Sequence, residues 1–225
     1  MEIRPIAVIR TDFPEKFGIP RQSGLADNLR ARIVFEPEFR NPEALRGLDG
    51  FSHLWLIWEF SANSGVKKWY PTVRPPRLGG NKPMGIFATR SPYRPNPLGL
   101  SCVEMESIVI DPDEGPVIKV KGADLMDLTP IYDIKPYIPY ADSRPDAECG
   151  YVNTLPERVI KINISAEIAA KVTDKTRLQA IHEILELDPR PSYHSDPERV
   201  YGLSFAGQNI RFVVRDNILT VLDIE

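Results

Sequence analysis

Hydrophobic residues fall mostly into short runs divided by proline, glycine and polar clusters, the pattern of strands joined by turns. Residues 3–11 (IRPIAVIRT) predict a first strand, with Pro5 near its start, and 32–35 (RIVF) a second. Between them, Phe13 to Asn28 predicts a loop punctuated by Pro14, Gly18, Pro20 and Gly24. Asn41-Pro42-Glu43 combines a capping side chain, a first-turn proline and an acid facing the helix dipole, and Gly47 and Gly50 keep that helix short. The apolar run 51–60 (FSHLWLIWEF) predicts a strand buried on both faces, with Trp55 and Trp58 in the core. Segment 61–83 predicts a long ordered loop anchored by Trp69, Tyr70, Val73 and Leu78. Strand signals return at 84–89, 100–110 and 116–121, the last two joined by Asp113-Glu114-Gly115.

Past Tyr140 the pattern changes. Residues 141–150 read as a linker and 158–164 (RVIKINI) as a strand. Asp174 opens an amphipathic helix carrying Leu178, Ile181 and Leu185, which ends before Pro189. Strands near 200–205, 208–214 and 217–223 follow, with Asp216-Asn217 as a hairpin turn. The expected fold is mainly β: an antiparallel β-barrel N-terminal domain over residues 1–143, then a small α+β C-terminal domain over 144–225. The 22 prolines among 225 residues favour strands and ordered loops over long helices.

Charge changes the picture more than composition does. The net charge is −3, yet no Asp or Glu occurs between Glu59 and Glu104. That window carries seven cations (Lys67, Lys68, Arg74, Arg77, Lys82, Arg90 and Arg94), so the remainder carries −10. Such a segment attracts polyanions; a solvated loop answered by acids from elsewhere in the fold accounts for it equally well. No apolar run approaches the length of a membrane span and the N-terminus lacks a signal-peptide pattern, so a cytoplasmic location is expected. Cys102 and Cys149 are expected as free thiols, and the three histidines show no zinc-ligand spacing, so no metal is expected.

The chain has no GxGxxG after a strand, no GxxxxGKS/T phosphate loop and no GxSxG elbow. Four other segments carry candidate chemistry. Pro20-Arg21-Gln22-Ser23-Gly24-Leu25 joins planar donors to a glycine that permits close approach, and also reads as a plain ordered turn. Arg74-Pro75-Pro76-Arg77-Leu78-Gly79-Gly80 holds two guanidinium groups rigidly, as phosphate recognition requires, and equally fits a polyproline linker. The loop around Arg90-Ser91-Pro92-Tyr93-Arg94-Pro95-Asn96-Pro97 is frozen by three prolines directly after a strand signal, which favours a binding site over a spacer. Residues 124–137 (DLMDLTPIYDIKPY) crowd acids, a lysine and tyrosines between strands, where the acids also fit a half-exposed strand.

Together these segments resemble the TrmO family, also called TsaA-like proteins. The resemblance covers essentially the whole chain: EKFGIPRQSGL, RGLDGFSHLWLIWEF, PTVRPPRLGGN, GIFATRSPYRPNPLGLS, DIKPYIPYADSRPDA and LDPRPSY. It implies an S-adenosylmethionine-dependent methyltransferase acting on N6 of threonylcarbamoyladenosine beside the anticodon of tRNA, built as a barrel plus a small C-terminal domain and working as a homodimer. Cofactor contacts are implied at Gln22, Ser23, Gly24 and Leu25, at Ser61 and Ala62, at Arg90 and Leu100, and at Leu128, Thr129, Pro130 and Ile131. Where the family usually has glycine, this chain has Leu128, whose Cβ restricts positive φ. The acceptor nitrogen shares its lone pair with the purine and the carbamoyl group, so its attack calls for a base. Asp133 is the first candidate and Tyr137 the second, with Lys135 placed to polarise the carbamoyl oxygen; Arg74, Arg77 and Arg94 are the expected phosphate contacts. A non-catalytic cofactor- or RNA-binding module, or a methyltransferase for another acceptor, are the competing readings.

Overall fold

The computed structural model describes residues 2–63, 68–78, 80–154, 160–191 and 196–225. Six strands close into an antiparallel barrel: β1 (Ala7–Arg10), β2 (Arg30–Phe35), β3 (His53–Glu59), β6 (Leu98–Asp111), β7 (Gly115–Lys121) and β8 (Thr129–Pro136), in the spatial order β1-β2-β7-β6-β3-β8. Two short strands, β4 (Thr72–Val73) and β5 (Met84–Gly85), pair with each other outside the barrel. Closure leaves no free sheet edge on the barrel. Its interior holds Ile9, Ile33, Leu54, Leu56, Ile118 and Ile131, all fully buried.

A second sheet has the order β10 (Tyr201–Phe205), β11 (Gln208–Arg215), β12 (Ile218–Ile224), β9 (Lys161–Asn163). Its one parallel pair is β12 with β9. The short helices α1 (Pro139–Asp142) and α2 (Ala166–Ala169) precede α3 (Lys175–Glu186). Asp174 caps α3 by accepting from the N–H groups of Thr176 and Arg177, and Ala180, Ile181, Ile184 and Leu185 bury its apolar stripe against the sheet. Both hairpin turns, Ala206-Gly207 and Asp216-Asn217, have two consecutive positive φ angles, as the right-handed twist of the flanking strands requires.

The loop between β1 and β2 joins the two sheets. Phe13, Ala26 and Leu29 belong to the second core rather than the barrel's, and the rings of Phe13 and Phe205 meet at 5.0 Å. Gly18 lies so close to Leu203 that an added Cβ would fall 1.9 Å from its Cδ1.

Several sequence expectations change. The first strand is only β1, because Pro5 cannot donate to a ladder. β3 alternates: Leu54, Leu56 and Trp58 point inward, whereas Trp55 and Ile57 are half-buried on the outer face. The continuous apolar run therefore marks one core face and one face with another use. Residues 84–89 form β5 and then a 3-10 turn at Ile86–Ala88, because Ile86 N–H bonds Pro71 O outside the barrel ladder. Trp69 and Tyr70, expected as anchors, are 47% and 58% exposed. The short helix after Asn41 is a 3-10 turn, Pro42–Leu45, capped by the Asn41 side chain. Lys67, residues 158–159, Ser192, Tyr193 and the side chain of Arg77 lie outside the described residues.

Candidate functional site

A cavity of about 680 Å³ opens on the outer face of β3 and β6, a volume suited to a nucleoside-sized ligand. The loop carrying Pro20 to Leu25 forms one wall. It is held to the barrel at several points: Gly24 N–H donates to Gly122 O at 2.9 Å, and Cys102 N–H donates to Ser23 Oγ at 3.2 Å. Gly122 has φ +68°, and its Cβ direction meets the Gly24 backbone at 3.2 Å, so a side chain there would push the loop off. From the other side, Glu183 on α3 accepts from both Asn28 N–H and Asn28 Nδ2, and Arg21 Nη2 donates to Asp188 O at 3.3 Å. The Asp188 carboxylate itself is buried and paired with Arg190 through two hydrogen bonds. Thus Asp188 and Glu183 on α3 support the cavity's wall and are not among its lining residues.

The floor contains a chain of hydrogen bonds. Trp58 Nε1 donates to Ser101 Oγ at 2.9 Å, and the Ser101 hydroxyl donates to Asp124 Oδ1 at 2.6 Å. Gly99 makes this possible: a Cβ there would fall 2.2 Å from the Trp58 ring. Burial pushes the Asp124 carboxyl above its ordinary value, while the Ser101 hydroxyl, its own N–H and the Arg90 charge pull the other way. The second acid in the wall is Glu59. It accepts from Tyr132 OH at 2.5 Å, and burial, followed by that bond and the Glu59 charge, pushes the Tyr132 phenol up to about 12. Burial, then the Asp142 charge, also raises the Cys102 thiol, which disfavours the thiolate needed for a nucleophile.

Of the sequence-predicted cofactor residues, Gln22, Ser23, Ser61, Ala62, Arg90, Leu100 and Thr129 line this cavity. Arg90 Nη1 donates to Gln22 Oε1, joining the loop after β1 to the proline-rich loop before β6. Lys16 Nζ donates to Ala62 O at 3.2 Å and holds the turn after β3. Gly24, Leu25, Leu128, Pro130 and Ile131 are not in the lining; Ile131 is in the barrel core and Leu25 is half exposed. Leu128 has φ +63°, so the chain adopts the left-handed conformation that glycine would favour despite its Cβ, with Leu128 N–H bonded to Ile9 O at 2.9 Å.

Asp133, Lys135 and Tyr137 also lie outside the lining. Asp133 and Lys135 form an ion pair at 2.9 Å and oppose Ile57 and Trp55, one strand from the wall. The Tyr137 ring lies 5.8 Å from that of Trp55, whose Nε1 donates to Asp142. Trp55 therefore faces the cavity rather than the core. Arg94 lines the cavity and is braced, its Nη1 donating to Thr89 O at 2.7 Å; Arg74 is exposed. Glu59, Ser101 and Asp124 were not among the site residues expected from the sequence. Asp124 sits in a loop, not the half-exposed strand expected, and no linear spacing ties it to Ser101 or Trp58.

Comparison with known proteins identifies the family. Residues 8–143 match the model of the tRNA-methyltransferase O N-terminal domain, and 157–225 match that of the TrmO C-terminal domain. The chain belongs to the TrmO family. A relative from Escherichia coli (strain K12), named tRNA (adenine(37)-N6)-methyltransferase, is 39% identical over 231 residues, covering 100% of this chain and 97% of that protein. A putative S-adenosylmethionine-dependent methyltransferase of Pseudomonas aeruginosa is 38% identical over 99% of this chain and 96% of its own length. The crystal structure of TrmO from Pseudomonas aeruginosa superposes with a TM-score of 0.79 at 33% identity, covering 100% of this chain and 98% of that one. Among the described residues no helix is long and apolar enough to cross a membrane.

Proposed function

We propose that this TrmO family member transfers a methyl group from S-adenosylmethionine to N6 of threonylcarbamoyladenosine beside the anticodon of tRNA, as a cytoplasmic homodimer. The cavity carries this reading, because the chemistry of its walls matches each part of such a donor. Trp55, Leu98, Leu100 and Met126 offer apolar surface to a purine and a thioether chain. Asp124 offers a fixed carboxylate to a cation, and Arg21 and Arg90 offer guanidinium groups to a carboxylate. Ser23, Ser61, Ala62 and Thr129 would complete the site, with Gly24, Leu25, Leu128, Pro130 and Ile131 supporting it through the main chain. When bound, the cofactor supplies a methyl group on a positively charged sulfur that needs no further activation.

The protein's own task is then alignment and proton removal. Alignment of the acceptor nitrogen with the methyl group can contribute several kcal/mol, on the order of 7–11 in the best cases. Asp133 is the first candidate base: it shares the outer face with Trp55 and Leu100, and Lys135 beside it is placed to polarise the carbamoyl oxygen. Tyr137 is the second. Glu59 is a further candidate on structural grounds, since it lies in the cavity wall. Arg74, Arg77 and Arg94 would hold tRNA phosphates.

The test is label transfer from S-adenosylmethionine to tRNA with and without the threonylcarbamoyl group. Transfer only to the modified tRNA is the expected result. Binding of both partners without transfer would favour a non-catalytic module, and transfer to unmodified tRNA another acceptor. Asp133→Asn and Glu59→Gln separate the two bases: the variant whose rate falls about 100-fold or more at saturating tRNA marks the residue that takes the proton.

A further inference from the structure

Beside the cavity lies a surface that the methyl-transfer chemistry does not use. Pairing of β4 with β5, and the bond from Ile86 N–H to Pro71 O, bring residues 69–71 beside residues 85–87. The rings of Trp69 and Phe87 consequently approach to 6.4 Å. Both are exposed, Phe87 by 72%, and so are Tyr70 and Tyr93. Cations are set over two of these rings: Arg94 lies 5.8 Å from the Phe87 centroid, and Lys68 lies 5.5 Å from that of Tyr70. Tyr93 and Arg94 reach the cavity wall, so the patch is continuous with the cavity mouth.

Large rings left in water lose the free energy of burial, and a contiguous group of them marks an interaction surface. The charge pattern indicates the partner. No acid occurs in the chain from residue 60 to 103, the stretch that carries all four rings, while Lys68 and Arg94 are set over two of them. Rings interleaved with cations, without acids, are what unpaired nucleotides require, since every base has a face to stack and every linkage a negative charge. A purely phosphate-binding surface would not need the rings.

We infer that Trp69 and Phe87, flanked by Tyr70 and Tyr93, form a stacking platform for unpaired bases of an RNA loop, holding that loop open at the cavity mouth. The inference rests on the tRNA reading above and adds the means by which bases are engaged. RNA recognition usually works in this way, by splaying single-stranded bases onto aromatic side chains.

The test uses the full chain, an unmodified anticodon-arm RNA hairpin and a fully paired duplex of the same length. Trp69→Ala and Phe87→Ala should each weaken hairpin binding roughly 5- to 100-fold while leaving duplex binding and the salt slope of hairpin binding unchanged. Arg74→Ala should instead lower the slope of log K against log salt by roughly 0.7–0.9 for both RNAs. Trp69→Phe should restore most of the affinity. Thermal midpoints and S-adenosylmethionine affinity of the ring variants should match the parent, because neither ring lines the cavity. Hairpin affinity unchanged in both alanine variants would overturn the platform, as would equal losses on hairpin and duplex. A shift from dimer to monomer in sedimentation with either variant would also overturn it, by assigning the surface to a contact between copies. A parent protein that binds the hairpin and the donor but transfers no methyl group to tRNA carrying the threonylcarbamoyl group refutes the enzyme reading alone.

Discussion

Two loop segments border the same cavity and are held in opposite ways. The segment from Lys16 to Leu29 is fixed from both sides, by Gly122 and Cys102 on the barrel and by Glu183 and Asp188 beyond it, and its apolar residues fill the second core. The segment from Lys68 to Arg94 makes one short strand pair and turns its rings outward. Fixed polar groups suit a small ligand that must be aligned, because the ordering cost is met on folding. An open aromatic and cationic surface suits a larger partner that brings its own shape. Proline stiffens both segments, so stiffness alone does not say whether a loop holds a cofactor or receives a macromolecule.

The largest test of this contrast is the second core. Phe205→Ala should cost about 3–5 kcal/mol, read by denaturant unfolding, because a fully buried ring against Phe13 leaves a cavity. At denaturant concentrations where the protein remains folded, donor affinity should fall because Lys16–Leu29 loosens, while RNA affinity should change far less. Equal losses in both would mean the two segments are not independent.

Gly99→Ala should come next. The added methyl group must displace Trp58, and with it Ser101 and Asp124, at a cost of about 1–3 kcal/mol and with lost donor binding by calorimetry. Asn28→Ala should cost roughly 1–3 kcal/mol, because it removes the side-chain donor to the Glu183 carboxylate.

Asp124 sharpens the comparison through pH. Its carboxyl value is raised above 3.8, chiefly by burial. The ionised form is the one that attracts a cation, so donor affinity should drop as pH falls through that raised value, and Asp124→Asn should bind weakly with a flatter profile. Folding has the opposite sign: the native state prefers the protonated acid, so this contribution to stability is present below 3.8 and is lost as pH rises through the raised value. RNA affinity of the Asn variant should keep the parent's profile. Smallest of all, Leu128→Gly should raise stability by under about 1 kcal/mol, since relief of positive φ is offset by the freedom glycine adds to the unfolded chain.

Much of the strand pattern was legible, and the reasons are local. The apolar run of β7, the cap at Asp174 and the turn at Asp216-Asn217 depend on residues only a few positions apart. The run 51–60 misled because an apolar composition cannot distinguish a second core face from a face with another use: Trp55 and Ile57 are half-buried on the outer face, and Trp55 lines the cavity. Residues 84–89 have strand composition, but their backbone donors go to Pro71 outside the barrel. Arg90 could be picked out because the prolines beside it signal a fixed loop, whereas Ser23 was implied by the resemblance to the family. Asp124 could not, since its meaning comes from Ser101, 23 residues earlier, and from Trp58 on another strand.

What the amino-acid order determined alone is whatever neighbours in the chain decide: strand alternation, caps, turns and the acid-free cationic stretch from 60 to 103. Only the tertiary structure decided that β6 sets Ser101 beside Asp124, that α3 and Asp188 support the Arg21–Asn28 loop from beyond the barrel, and that Trp69 meets Phe87 in solvent. The reason is that barrel closure and strand register bring together residues far apart in sequence, and hydrogen bonds and burial respond to distance in space.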